Sequence, residues 1–438
     1  MTAPQFPFRF SFEQARRRAK DLQRALKAGR PQALERLQSH HPEGLNARPT
    51  RLADAQLVVA REHGFESWTR LKAYAAPETR YQNEMITEGK NEAIQGPWED
   101  QAKMLHGLAA EALQACGLRA RSLEVAGHMG NFGFSDYGLA AVTDESDVPT
   151  HLVTVHYTYD DVFPFDEMHR QVASLCAWLA ALGAETDLDI QVPAADGDGA
   201  LCQRIDHRPQ GPAAVCTVQR WVQGRDIVGD DLWEGWDLKG DAAVALTAAD
   251  LRGMGAVLGR IHAHGRAWQR PDGFNRMRVD WPTDLSELEY RFWNKRQDGD
   301  KPKEELDLIR RALDRIARTR KELNEPWGLT HGDFRAHNCV VDGSVYKAID
   351  FDLCTLSRQY DDIGWFCTDI ATPELRRAFL DGYAQANPPG PDFLRLVEGA
   401  LISARVRRCA WGGRYPRRAP GECEKYVAGE AFLFATGD

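Results

Sequence analysis

Apolar residues in the first part of the chain recur every three or four positions. Phe12, Ala15, Ala19, Leu22 and Leu26 do so among arginines and lysines, which predicts a helix with Ser11 as its cap and Gly29 as its stop. A second helix is expected over Pro31–Gln38 and a third over Leu52–Ala75, interrupted near Gly64. Between Pro77 and Pro97 the pattern is lost in a polar stretch, then a helix runs from Trp98 to Ala115 and ends before Gly117. The period next falls towards two, predicting strands at Ser122–Ala126, Phe132–Val142 and His151–Tyr157. Helical spacing returns over Glu167–Leu182, where Val172, Leu175, Leu179 and Leu182 share a face, and again over Leu251–His262. The pattern is that of an α+β chain. Residues 1–76 are expected to form an α-helical N-terminal domain and 77–97 a linker.

Composition narrows the class. At 438 residues the chain exceeds what one hydrophobic core usually supports. Its formal net charge of −9 speaks against a general nucleic-acid-binding surface. The nine cysteines include no Cys-x-x-Cys pair, so neither a disulfide framework nor a zinc site is expected. The opening MTAPQFPFRF lacks the layout of a secretory signal, and no apolar run approaches the length of a membrane span. A cytoplasmic protein without membrane contact is the expectation. The basic face of Arg16, Arg17, Arg18 and Lys20 reads as a solvated helix surface, although residues 1–76 remain open to a protein partner or to self-association.

Chemistry concentrates in Gly328–Asp352, GLTHGDFRAHNCVVDGSVYKAIDFD. Its pattern predicts a loop followed by two strands, Cys339–Val341 and Val345–Ile349, joined at Asp342-Gly343. Such a hairpin returns Asn338 and Asp350 to the same end, where an amide oxygen and a carboxylate can share a hard divalent cation. Mg²⁺ takes oxygen ligands of this kind and usually only one or two from protein, the rest being water and phosphate. Asp333, on the preceding loop, would face a nucleophile and accept its hydroxyl proton.

The pattern resembles the catalytic loop and metal-binding Asp of the protein-kinase-like superfamily, and more closely the aminoglycoside phosphotransferase and choline kinase branch. The resemblance implies an α+β, bilobal protein-kinase-like fold with an N-terminal helical extension, residues 98–224 forming the lobe with the small antiparallel sheet and 225–438 the larger helical lobe, with Mg²⁺ as cofactor and ATP or GTP as co-substrate. By position it implies Asp333 as catalytic base, Asn338 and Asp350 as Mg²⁺ ligands, His331 as support of the loop and Asp352 as a second metal-side carboxylate, with a turn residue capping the next segment as the other reading of Asp352. Asp362, in QYDDIGWF, resembles the Asp that begins the family's next helix, with a cap or a hydrogen bond to the catalytic loop as its task. Upstream, Gly127-His128-Met129-Gly130-Asn131-Phe132-Gly133 is similar to a phosphate-covering glycine loop, with a plain hairpin turn as the other reading. Gly127, Gly130 and Asn131 are its candidate contacts. Gln219–Arg225, which includes Trp221, resembles the segment between lobes. The stretch LADAQLVVAREHGFESWTRLKAY looks like a helical leader found before ankyrin repeats, but no 33-residue period follows it.

Two positions depart from the resemblance. Kinase-like enzymes hold the α- and β-phosphates with a basic residue on the third strand, paired to a Glu on the following helix. Here HLVTVHYT places Thr154 at the first position, and alignment through AWLAAL places Leu175 near the second. His151, His156 or a distal Arg could take over the contact. The leading expectation is an ATP-dependent O-phosphotransferase acting on the hydroxyl of a small molecule such as an antibiotic, sugar or amino alcohol. The alternatives are a pseudokinase-like nucleotide- or metabolite-binding regulator, or nucleotidyl transfer on the same fold. The acid-rich loop Asp298–Glu305 would suit a polycationic acceptor; the basic run Arg405–Lys425, should it border the site, would suit an anionic or neutral one.

Overall fold

In a computed structural model of the chain, the structure describes residues 12–42, 44, 51–62, 67–69, 98–131, 134–146, 148–158, 164–205, 213–227, 233–234, 237–238, 246–280, 303–370, 372–411 and 419–429. Side chains of residues 12–15, 17, 98–101, 127–131, 134–135, 158, 233–234, 237–238, 303, 305–306, 408–411 and 419–420 also lie outside that description. Contacts divide the chain into two compact units. The first comprises Met1–Ala180, Val192–Trp221 and Pro271–Met277, and the second Ala181–Gln191, Val222–Arg270 and Arg278–Asp438.

Three helices open the first unit: α1 (Phe12–Lys27), α2 (Pro31–His40) and α3 (Leu52–Glu62). Gly29, at φ 65°, stops α1 in the left-handed conformation expected of a helix-ending glycine. Ala19, Leu22 and Leu26 of α1 pack with Ala33 and Leu37 of α2 and with Ala55, Val58 and Val59 of α3 in a core of their own. Arg36 closes it with two hydrogen bonds, 2.6 and 2.7 Å, to the Glu62 carboxylate.

Helix α4 (Trp98–Ala115) then leads into strands β1 (Ser122–Asn131), β2 (Phe134–Val142) and β3 (His151–Thr158), helix α5 (Phe165–Glu185), and strands β4 (Gln203–Ile205) and β5 (Ala214–Arg220). The strands form one antiparallel sheet in the order β1-β2-β3-β5-β4. Alternation decides its two faces. Tyr137, Leu139, Val153, Val155, Cys216 and Val218 face Leu105, Leu108 and Ala112 of α4. Val215, on the other face, packs with Met168, Val172 and Cys176 of α5.

The second unit contains β6 (Arg225–Asp226), the short pair β7 (Trp233–Glu234) and β8 (Asp237–Leu238), α6 (Ala248–Ala267), β9 (Arg278–Val279), α7 (Lys303–Glu322), β10 (Trp327–Thr330), β11 (Cys339–Asp342), β12 (Val345–Ala348), β13 (Thr355–Arg358), α8 (Tyr360–Cys367), α9 (Pro373–Ala386), α10 (Phe393–Trp411) and α11 (Ala419–Ala428). Helix α6 starts at a reciprocal cap in which Thr247 and Asp250 each bond the other's backbone N–H. It crosses α9 so closely that a Cβ on Gly255 would stand 2.1 Å from the Phe379 carbonyl oxygen, and one on Gly382 2.0 Å from that of Arg252. Only glycine permits that approach. Two small sheets, β10-β13-β9 and β12-β11-β6, lie in the same unit. No helix among the described residues is long and apolar enough to cross a membrane.

Candidate active site

The β11–β12 hairpin sets the geometry of the site. Cys339 pairs with Ala348 and Asp342 with Val345, and Gly343 turns the chain at φ 61°. The ladder is extended by the Ile349 N–H, which donates to the Asn338 carbonyl at 3.0 Å. Asn338 and Asp350 therefore stand at the same end of the hairpin, as alternation and the Asp-Gly turn predict.

Asp333 lies half-buried on the loop before the hairpin, and both its carboxylate oxygens are engaged. The Trp365 indole N–H donates to Oδ1 at 2.7 Å. Asn338 Nδ2 donates to the Asp333 carbonyl at 2.9 Å and, at 3.3 Å, to Oδ2. These bonds turn the amide nitrogen towards Asp333. The Asn338 amide oxygen and the carboxylates of Asp350 and Asp352, carried by one hairpin and the turn after it, are hard-oxygen donors of the type that Mg²⁺ takes. Among the described residues no group of three or more His, Cys, Asp or Glu side chains could hold a metal unaided. Mg²⁺ usually takes only one or two protein ligands and the rest of its coordination from phosphate and water.

His331 is fully buried, its Nε2–H donating to the Ile349 carbonyl at 2.9 Å and its ring packed on Phe351 at 4.4 Å. Burial pushes its pKa down, outweighing the neighbouring Asp362 and Asp333 carboxylates, so the ring is neutral at pH 7. The loop backbone is held by Asp362 of α8. Its Oδ2 accepts the His331 N–H at 2.8 Å and its Oδ1 the Gly332 N–H at 3.0 Å. His262 of α6 stands 3.2 Å behind the same carboxylate, with Tyr383 on its other ring nitrogen. Asp362 thus has the loop-bonding role that its place at a helix start implies.

Asp350 adopts φ 63°, a left-handed conformation uncommon outside glycine. Its N–H donates to Gln191 Oε1 at 2.6 Å. Phe351 is buried, and the Cys354 N–H closes the turn around Asp352 by donating to the Phe351 carbonyl at 2.8 Å.

The remaining candidates lie in the first unit. Thr154 is buried on β3 between Gly138 and Thr217. Leu175 is buried as well, so neither member of a basic–acidic pair stands at these two positions. Two residues beyond Thr154, His156 pairs across the strands with Asp136, both buried. Trp221 follows β5, its N–H bonded to the Thr150 carbonyl at 2.9 Å.

The glycine segment needs a correction. Sequence spacing breaks the first strand at Ala126, whereas β1 continues through Gly127, Gly130 and Asn131, which pair with Gly138, Ser135 and Phe134. A register shift between Val125 and Gly127 absorbs one residue and lets the ladder resume, as a bulge does. Only Phe132 and Gly133 of the expected loop fall between the strands, and these two lie outside the described residues. Most of Asp298–Glu305 and residues 412–418 of the basic run lie outside them too. Within that run, Arg405 pairs with Glu422, and the Arg407 guanidinium lies 4.4 Å over the Trp365 ring.

Two contacts had no signal in the sequence. Trp365, which reads as core, reaches the Asp333 carboxylate, and Gln191 bonds the backbone of Asp350 from 159 residues away.

An antiparallel sheet flanked by helices, with a His-Gly-Asp loop leading into an Asn…Asp hairpin, defines a small-molecule phosphotransferase of the protein-kinase-like class. The chain belongs to the phosphotransferase enzyme family (APH), whose pattern matches residues 162–397. No curated protein matches it in sequence. Among solved structures it is similar to a microcompartment-associated aminopropanol kinase, at 22% identity and TM-score 0.51 over 74% of this chain and 94% of that one. It is also similar to the amicoumacin kinase hAmiN in complex with AMP-PNP, Ca²⁺ and Ami, at 14% identity and TM-score 0.52 over 77% of this chain and 96% of that one. At these identities the likeness is one of fold.

Proposed function

We propose that the protein transfers the terminal phosphoryl group of a nucleoside triphosphate, ATP or GTP, to the hydroxyl of a small molecule, with Asp333 as general base. The observation that supports this reading is the double contact of the Asn338 amide with Asp333, which ties the proposed proton acceptor to a proposed metal ligand. Asp333 takes the acceptor's O–H proton as its oxygen bonds to the γ-phosphorus. The bond from that phosphorus to the β,γ-bridging oxygen breaks, and the nucleoside diphosphate leaves. Asn338, Asp350 and Asp352 are the residues that would hold Mg²⁺. The ion, when bound, neutralises charge on the β- and γ-phosphate oxygens. His331 keeps the loop in place as a neutral hydrogen-bond donor to Ile349.

The test is product mass with Mg·ATP and Mg·GTP across a panel of hydroxylated acceptors, alongside thermal shift. Asp333→Ala is expected to abolish turnover while the nucleotide-induced shift persists, and full turnover in that variant refutes the mechanism. One observation favours a second reading, a nucleotide-binding regulator: Thr154 and Leu175 stand where a phosphate-gripping pair belongs. Nucleotide binding without turnover on any acceptor supports that reading. A product that gains a nucleotide in place of a phosphate supports nucleotidyl transfer.

A further inference from the structure

The reading of Asp333 as base leaves open what aims its carboxylate, and the inference here rests on that reading. Helix α8 grips three consecutive loop residues from one side. Asp362 holds the N–H groups of His331 and Gly332, and Trp365, three residues further along the helix, holds the side chain of Asp333. Residues three apart on a helix share a face, so one rigid element controls both the path of the loop and the direction of its acid.

The two oxygens of Asp333 are held unequally. The indole bond to Oδ1 is 2.7 Å, whereas the amide contact to Oδ2 is 3.3 Å. An indole N–H can only donate. It therefore occupies Oδ1 as an acceptor and leaves the loosely held Oδ2 as the oxygen that can take a proton. Trp365 is itself fixed, being 5% exposed and covered by the Arg407 guanidinium 4.4 Å from its ring centroid. A cation on an indole face draws on its electron density, and this makes the N–H a stronger donor. Arg335, at 6.0 Å from the same ring, is anchored by Asp369 through a 3.1 Å bond.

We propose that Trp365 is the positioning residue of the catalytic base: its N–H, reinforced by the stacked Arg407, fixes Oδ1 of Asp333 and presents Oδ2 to the acceptor hydroxyl. It acts through Asp333 and touches no reacting atom.

The experiment is steady-state hydrolysis of Mg·ATP and Mg·GTP by the full chain, water standing in for the acceptor. Trp365→Phe keeps the ring and removes the donor, and is expected to lower kcat roughly ten- to a hundredfold, the cost of a misaimed group, with the nucleotide KM unchanged. Trp365→His, which restores an N–H, is expected to recover part of that loss. In an Asp333→Asn background Trp365→Phe is expected to cost nothing further, because residues acting as a unit are non-additive. Wild-type kcat in Trp365→Phe overturns the proposal, and so does an equal loss with and without Asp333, which would mark a packing role. Should Trp365→Phe fail to fold by circular dichroism, Arg407→Met, which leaves the indole in place, must lower kcat at unchanged KM; unaltered kcat there overturns the proposal. Full activity in Asp333→Asn, or no hydrolysis of either nucleotide by the unaltered protein, instead refutes the reading of Asp333 itself.

Discussion

Asp362 accepts the backbone N–H groups of His331 and Gly332 on its two carboxylate oxygens, at 2.8 and 3.0 Å, and is itself buried. A single side chain thereby sets the path of the loop that carries Asp333. Asp362→Asn exchanges one acceptor oxygen for a donor NH₂, so one of the two buried N–H groups loses its partner. The expected cost is about 1–3 kcal/mol of stability, together with a fall in kcat that exceeds any change in nucleotide affinity. Urea denaturation beside steady-state kinetics measures both. An unchanged midpoint would mean that the loop holds its course without this carboxylate.

Gly332 and Gly343 both adopt left-handed backbones, φ 88° and 61°, but in different surroundings. A Cβ on Gly332 would stand 1.9 Å from the Leu353 carbonyl oxygen, while nothing lies within 4 Å of one on Gly343. Gly343→Ala meets only the conformational penalty, about 1–2 kcal/mol, and is expected to leave activity intact. Gly332→Ala adds a backbone clash beside Asp333 and is expected to cost at least about 3 kcal/mol and most of the activity. Paired melting curves and turnover assays of the two variants give the comparison directly.

The contrast between these positions indicates what the sequence could reveal. The β11–β12 hairpin was legible because its determinants are local: alternation from Cys339 to Ala348 and a turn at Asp342-Gly343. The order His331, Asp333, Asn338, Asp350 was legible for the same reason, and so was a bonding role for Asp362 at the start of a helix. Trp365 was not. In the sequence a tryptophan beside Ile363 and Phe366 reads as core, and burial does place it there. What pattern cannot show is that its one polar atom finds a carboxylate 32 residues away. Gln191 is a stronger case, since its tie to Asp350 depends on tertiary folding alone. Gly127–Asn131 misled for the opposite reason. Glycine marks turns by its conformational freedom, yet here it continues a paired strand past a bulge.

Buried His331 gives the fold an acid-sensitive element. Its pKa is lowered, chiefly by burial, whereas in the unfolded chain it titrates near its ordinary value of 6.5. Below that pH the unfolded chain binds the proton and the folded one resists it, so stability falls as pH falls and is fully present above it. His337, also shifted down by burial, adds in the same direction. Burial raises the Glu325 carboxyl to about 7, which acts in the opposite sense over the same window, so the histidine contribution is read as a difference between variants over about pH 5 to 8. His331→Gln should lose less stability towards the acid end than the wild type does, while being less stable at neutral pH, where the ring packing on Phe351 is lost. A stability difference between wild type and His331→Gln that does not shrink on acidification would contradict this assignment.

Asp350 combines a proposed ligand role with a backbone conformation that L residues adopt at a cost. At φ 63° its left-handed geometry stores strain that glycine would not have, and the surroundings hold it there through the N–H bond to Gln191. Asp350→Gly and Asp350→Ala both remove the carboxylate, so both should abolish phosphoryl transfer and weaken Mg²⁺-dependent nucleotide binding. Their stabilities should differ. Alanine keeps the Cβ that crowds the following carbonyl, whereas glycine relaxes it, partly offset by the greater freedom of glycine in the unfolded chain. The glycine variant should therefore be the more stable of the two by about 1 kcal/mol, read as a shift in denaturation midpoint. Equal midpoints would indicate that the backbone at Asp350 relaxes out of the left-handed region once its carboxylate is gone, making the side chain, and not Gln191, the element that holds the turn.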